Sequence, residues 1–252
     1  ALGLFTAASR LLGENGLWEE YVEALILIGD RVRAEQVVRE RLEAEERAPA
    51  MLCLLGDLTE EEAHYVEAWE ASKGACARAK LALGARRMKR GDWADARNDL
   101  AAALGVKAHL AEAWFCSGVC ALKQGEAEGA LADFRRVVSC DPEHYQAWAS
   151  LGSLLAQAGQ KREALCALRE ACRLRPKTTS LWRNAAALAV DLKLFSEATF
   201  RLSHALRMGA PPDAPLSARP AQAVTQRERS TDGTSATRLL PQPRERLRAG
   251  TA

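Results

Sequence analysis

Aromatic residues make up only 6% of this 252-residue chain. β-Branched residues are few beside abundant Ala and Leu, which argues against a sheet-based core and for helices. No apolar run approaches the roughly 18 residues a membrane-spanning helix needs. The N-terminus has no basic flank followed by an apolar core and cleavage site, so no signal peptide is expected. It opens Ala1-Leu2-Gly3 without Met, which reads as a piece of a longer protein. Neither CxxC, HxxxH nor HExxH occurs, so the commonest metal and redox motifs are missing. A net charge of +2 provides no global field for nucleic acid or membrane. What is present is a 48% hydrophobic content, enough for a sizeable core, and seven cysteines. Their odd number and scattered spacing indicate reduced thiols in a cytosolic or nuclear protein.

The chain also carries a period. Trp114, Trp148 and Trp182 are spaced by 34 and 34 residues, and Trp18 and Leu52 by the same 34. A fixed spacing of this size marks stacked helical repeats. The unit from Tyr145 to Thr178 holds Trp148, Leu151, Gly152, Leu155, Gly159, Ala164, Leu168, Ala171 and Pro176, and closely resembles the tetratricopeptide repeat. The unit from Ala111 keeps Trp114, Gly118, Gly125, Ala130, Phe134 and Pro142, with Ser117 where Leu is usual. The unit from Thr179 keeps Trp182 and Ala198 but has Ala186 at the Gly place, and the unit from Ala77 keeps Gly84, Gly91 and Ala96. Two weaker units start at Asn15 and Pro49. The expected fold is all-α: a right-handed α-solenoid of about six tetratricopeptide-type helix pairs. Gly152 and Ala164 are the expected small residues where paired helices approach, with Trp148 and Leu168 filling the space beside them. Gly159 would supply the positive φ that ends its helix.

The unit starts run 15, 49, 77, 111, 145 and 179, so the third arrives 6 residues early. With no Pro between Tyr65 and Gly91, the spacing predicts a nearly continuous helix from about Glu61 to Lys89, weakest at Gly74 and Gly84. Residues 1–14 read as the end of a preceding helical region, and residues 15–210 as the repeat array. Residues 211–252 contain six of the nine Pro, seven Arg, four acids and neither Lys nor aromatics, a disordered composition.

Leu52-Cys53-Leu54-Leu55-Gly56-Asp57, then Tyr65, Ala68-Trp69-Glu70, Ser72 and Ala77-Arg78-Ala79, go beyond the generic repeat. This order resembles the tetratricopeptide repeat protein 27 family over about residues 10–208. The resemblance implies a non-enzymatic protein of the cytoplasm, found in the nucleus as well. It also implies assembly of a splicing ribonucleoprotein with help from chaperones.

Residue chemistry adds no catalytic, cofactor or metal site. No nucleophile has a base at hand, Cys116 and Cys120 are at most half a metal site, and Gly125 to Gly129 lacks the phosphate-loop pattern. Glu60, Glu61 and Glu62 fit a helix start. The working surface is therefore expected to be the groove that the first helix of each unit lines in tetratricopeptide repeats. Carried onto this chain, its candidate residues are Arg78, Leu81, Met88, Lys89, Glu112, Phe115, Val119, Lys123, Ser153, Gln157 and Arg183. Phe115 and Met88 form either an exposed apolar patch for a protein partner or packing against the next helix. The Lys and Asn pair of a carboxylate clamp for chaperone peptides is missing from every unit. Two other readings stay open. A helical-repeat RNA binder would need a basic groove, which the near-neutral repeats do not supply. A docking platform for a missing N-terminal region would use Leu2, Leu4, Phe5, Leu11 and Leu12.

Overall fold

The computed structural model describes residues 17–44 and 48–209. Among them are twelve α-helices and no strand. In order they are α1 Trp18–Ile28, α2 Arg31–Ala44, α3 Pro49–Thr59, α4 Glu62–Ala71, α5 Ala77–Arg90 and α6 Trp93–Val106. Then follow α7 Ala111–Lys123, α8 Ala127–Cys140, α9 Tyr145–Gln157, α10 Lys161–Leu174, α11 Thr179–Asp191 and α12 Phe195–Arg207. The expected start of the first unit at Asn15, the apolar residues Leu2 to Leu12 and the tail 211–252 lie outside the described residues.

Two compact units divide the chain, the first ending at Ala130 and the second beginning at Leu131. In the first, α1 packs on α2, α3 on α4 and α5 on α6, and each pair also touches the next helix in sequence. In the second, α9 packs on α10 and α11 on α12, with α10 against α11. The apolar stripes explain this order. Residues 51–56 of α3 are all buried because the helix serves two neighbours. Met51, Leu54 and Leu55 face Val22, Leu25, Ala34, Val37 and Val38 of α1 and α2. Leu52 and Cys53 face Tyr65 and Ala68 of α4 and Ala79 and Leu83 of α5. Each buried Leu contributes on the order of 2 kcal/mol.

Interior glycines mark where paired helices meet. A Cβ on Gly152 would lie 2.6 Å from Leu168 Cγ and 3.2 Å from the Ala164 carbonyl oxygen. Gly84 repeats the geometry against Leu100 Cγ at 2.9 Å and Ala96 O at 3.3 Å. The small residue therefore admits a buried Leu and a backbone carbonyl, rather than simply facing another small side chain. Trp148 is half-buried and also acts as a hydrogen-bond donor, its Nε1 reaching Pro142 O at 2.9 Å. Trp114 donates to Ala108 O and Trp182 to Pro176 O, both at 2.8 Å. Each indole thus pins the chain that enters its helix to a carbonyl six residues upstream.

The near-continuous helix expected from Glu61 to Lys89 does not form. It breaks for five residues between Ala71 and Ala77. Lys73 (φ 53°) and Gly74 (φ 80°) are both left-handed, and Gly74 N–H returns to Trp69 O at 2.9 Å. Two positive-φ residues in succession stop an α-helix. Ser72 Oγ then accepts the Cys76 N–H at 3.0 Å, a turn bond that competes with helical pairing. Gly84, the other expected weak point, stays inside α5, buried beside Leu100.

Glu60 closes α3 at φ 63°, its N–H bonded to Gly56 O, and its side chain is exposed. A residue with a Cβ is strained there. Glu60→Gly is expected to raise stability by about 0.5–1 kcal/mol, read from the urea midpoint at unchanged slope.

Candidate functional site

The residues of the distinctive Cys53-to-Ala79 stretch converge on one polar network in the first unit. Gly56 has no side chain because the Tyr65 ring occupies that space: a Cβ would sit 2.7 Å from Tyr65 Cζ. The ring so placed directs its hydroxyl to Asp57 Oδ1, donating at 2.6 Å. Asp57 Oδ2 accepts from Arg78 Nη2 at 3.0 Å, and Arg78 Nη1 reaches Glu23 Oε1 at 3.4 Å. Arg86 donates to the carbonyl oxygens of Glu60 and Gly56, at 2.7 and 3.3 Å. Burial, and then the Asp57 carboxylate, raise the Tyr65 hydroxyl pKa well above its ordinary value. Three helices, α1, α3 and α5, are thereby tied through the single guanidinium of Arg78.

Beside Arg78 opens a cleft of about 400 Å³, lined by Ala77, Arg78, Leu81, Ala82, Ala85, Lys107, Leu110 and Glu112. Its walls come from α5, from α7 and from the chain joining α6 to α7. The floor is apolar, with Leu81, Ala82, Ala85 and Leu110. The exposed side chains of Arg78, Lys107 and Glu112 form its rim. Of the expected groove residues, Arg78, Leu81 and Glu112 gather here.

The others lie elsewhere. Met88 is half-buried and packs against the Ala96, Leu100, Ala113 and Cys120 cluster. Phe115 and Val119 are half-buried too, so an exposed Phe-Met patch does not form. Large apolar side chains that are exposed include Leu27, Val32 and Phe200, none of them foreseen as site residues. Lys89 and Lys123 are exposed, the latter with its Nζ 6.0 Å from the Trp93 ring centroid. In the second unit Ser153 and Gln157 are exposed on α9, Ser153 Oγ donating to Ala149 O at 3.0 Å, and Arg183 is half-buried on α11.

Buried charge was not foreseen either. Asp99 is 3% exposed between Lys80 Nζ at 2.7 Å and Arg87 Nη1 at 2.9 Å. In the second unit Glu197 holds Arg169 and the buried Arg201, whose Nε donates to Glu197 Oε1 at 2.8 Å. Burial opposes the charge on Glu197, but these hydrogen bonds prevail and hold its carboxyl below the usual range. Cys116 and Cys120 turn into packed surroundings, burial first and Glu112 second pushing Cys116 up to about 11. Among the described residues no group of three His, Cys, Asp or Glu side chains is arranged to hold a metal. No described helix is long and apolar enough to cross a membrane.

Known proteins resemble this chain in sequence over part of its length and in fold. Residues 81–144 and 130–179 match the model of the tetratricopeptide repeat. A tetratricopeptide repeat protein 27 homologue of Dictyostelium discoideum is 29% identical over 117 residues, 46% of this chain and 14% of that protein. A TPR repeat-containing protein of Schizosaccharomyces pombe is 29% identical over 118 residues, 47% of this chain and 14% of its own length. The matched region is therefore a small part of either relative. Among solved structures, PilF of Pseudomonas aeruginosa aligns with a TM-score of 0.67 at 13% identity, over 82% of this chain and 96% of that one. A chain of the APC/C hetero-tetramer Cut9–Hcn1 aligns at 0.60 and 15% identity, over 89% of this chain and 46% of that one. YrrB, described as a TPR protein with an unusual peptide-binding site, aligns at 0.52 and 18%, over 88% of this chain and all of that one. At these identities the solved structures establish the fold, an all-α array of the solenoid class.

Proposed function

We infer that this tetratricopeptide-repeat protein, similar to the protein 27 homologue, is a non-enzymatic scaffold that holds a segment of another protein. The cleft between α5 and α7 carries this reading: an apolar floor with charges of both signs on its rim. A concave apolar site with a few placed polar groups suits an amphipathic peptide, its apolar side chain over Leu81 and Ala85 and its acid toward Lys107. YrrB, which shares the fold, is itself described by a peptide-binding site. A carboxylate-ended chaperone peptide is not the proposed occupant, because the clamp residues are missing from the sequence. The resemblance to the protein 27 family supplies the finer reading: an assembly factor working with chaperones in splicing ribonucleoprotein biogenesis, in the cytoplasm and the nucleus.

The test is crosslinking mass spectrometry of the chain in cell extract. Lys107 at the cleft rim, with Lys89 and Lys123, is expected to crosslink to one protein. Ala85→Trp fills the cleft and Lys107→Glu reverses a rim charge. Each is expected to weaken recovery of that protein about tenfold or more, the loss expected of a central interface position. Unchanged recovery by both variants would exclude the cleft. Salt-sensitive capture of RNA by the wild-type chain would instead favour a nucleic-acid binder.

A further inference from the structure

Two of the seven thiols meet, although 23 residues separate them in sequence. Cys53 on α3 is fully buried, Cys76 just before α5 is partly exposed, and their sulfurs are 3.6 Å apart. The turn that breaks α4 from α5 creates this pair. Gly74 reverses the chain, and Ser72 Oγ holds the Cys76 N–H, which sets the Cys76 side chain over Cys53. Cys76 is the N-cap residue of α5, so its side chain stands at the electropositive start of that helix, with Arg78 two residues on. Such an electropositive helix start is where a thiolate is stabilised. Cys53 faces the other way: it sits among Leu52, Tyr65, Ala68 and Leu83 in the core.

We propose that Cys53 and Cys76 form an oxidisable dithiol site, at which Cys76 attacks a hydroperoxide and Cys53 resolves the product as a disulfide. The Cys76 thiolate sulfur attacks the terminal peroxide oxygen, and the O–O bond breaks. The departing alkoxide or hydroxide takes a proton and leaves as alcohol or water, with Cys76 now a sulfenic acid. The Cys53 sulfur gives up its proton and attacks the Cys76 sulfur. The S–O bond breaks, the hydroxide combines with that proton as water, and the S–S bond forms. Two electrons have passed from the two thiols to the peroxide. Closing to a bond length near ~2.05 Å asks the sulfurs to approach by about 1.5 Å.

The charged surroundings divide the roles. The hydrogen bond from Cys53 foremost, against burial, and the Ala79 and Arg78 N–H groups lower Cys76 to about 6. The same hydrogen bond, burial and then Cys76 itself raise Cys53, which stays protonated and acts as donor; Arg78 opposes and Asp57 reinforces that rise. Access agrees with this, since only Cys76 is open to an oxidant. The disulfide would tie α3 to the start of α5 next to Ala77 and Arg78, which line the cleft. The site itself does not depend on what the cleft binds.

The experiment treats the reduced full chain with hydrogen peroxide, blocks remaining thiols with N-ethylmaleimide, and maps tryptic peptides by mass spectrometry. Cys140 and Cys166, both exposed, serve as references. The expected result is a loss of two hydrogens per chain, with the Cys53 and Cys76 peptides joined, about tenfold faster than either reference thiol is oxidised. In Cys53→Ser, dimedone should trap a sulfenic acid on Cys76. Oxidation of Cys140 or Cys166 first, or a dominant disulfide between other cysteines, would overturn the proposal. So would an unmodified Cys76 in a Cys53→Ser chain that retains its helical circular dichroism.

Discussion

Leu168→Ala is expected to lower the unfolding free energy by about 3 kcal/mol, within the range for emptying a buried Leu site. Leu168 is 2% exposed, and its Cγ and Cδ2 lie against the place where Gly152 lacks a side chain. The lost burial of the isobutyl group and the cavity left beside Gly152 add together. The partner substitution reveals the geometry. Gly152→Ala alone gains about 1 kcal/mol of helix propensity but forces a methyl to 2.6 Å from Leu168 Cγ. Leu168 can shift, but the Ala164 carbonyl oxygen at 3.2 Å is backbone, so the net cost is about 1–2 kcal/mol. Added to Leu168→Ala, the same substitution should cost nothing or restore up to about 1 kcal/mol. Urea titration of the four proteins measures the coupling. Additive effects would mean that the Gly152 position does not exist to admit Leu168.

Glu197→Ala is expected to cost about 3 kcal/mol, the low end for breaking a buried ion pair because Glu197 keeps some solvent contact. The loss arises at its partner. Arg201 has a side chain 8% exposed, bonded to Glu197 through Nε and Nη2, with its guanidinium 5.6 Å over the Trp182 ring. Without Glu197 this charge stays buried against an aromatic face, and Arg169 on α10 loses its link to α12. Replacing Arg201 with Met in the same chain should recover most of the loss, since the desolvated charge is then gone. The pH dependence has a definite sign. The folded state holds the Glu197 carboxyl below its unfolded value of about 4.3. Its contribution is therefore fully present above that value and is lost as pH falls through the lower, folded value. Glu197→Gln should be less stable at pH 7, and its stability should fall less steeply than wild type below about pH 4. Parallel acid limbs for the two proteins would remove Glu197 from the acid response.

The regular part of this fold was legible because it is local. Gly159, Gly125 and Gly91 occur one period apart, each with φ near 80–90°, and each needs only its own turn geometry to end a helix. The Gly152 and Leu168 contact was half legible. Spacing foretold a close approach, but not that a Leu side chain and a carbonyl would enter from the neighbouring helix. The indole bonds carry a sequence signal of their own: Pro142 and Pro176 each stand six residues before a Trp. Part of the candidate cleft, Arg78, Leu81 and Glu112, followed from the repeat register alone. Met88 did not, because its long flexible side chain turns into the α6 and α7 packing, and nothing in its own helix says so.

The sequence by itself determined that this chain is helical, repeated and paired, since period, small residues and helix-ending glycines act within one unit. Tertiary structure alone decided the Arg78 bridge across three helices, the pairing of buried Asp99 with Lys80, the link from Arg169 to Glu197, and the meeting of Cys53 with Cys76. Each of these joins groups 19 or more residues apart, whereas the five-residue break before α5 rests on two left-handed residues in succession and the turn bonds beside them. A periodic pattern records which face of a helix is buried; it does not record which atom of which distant residue that face will meet.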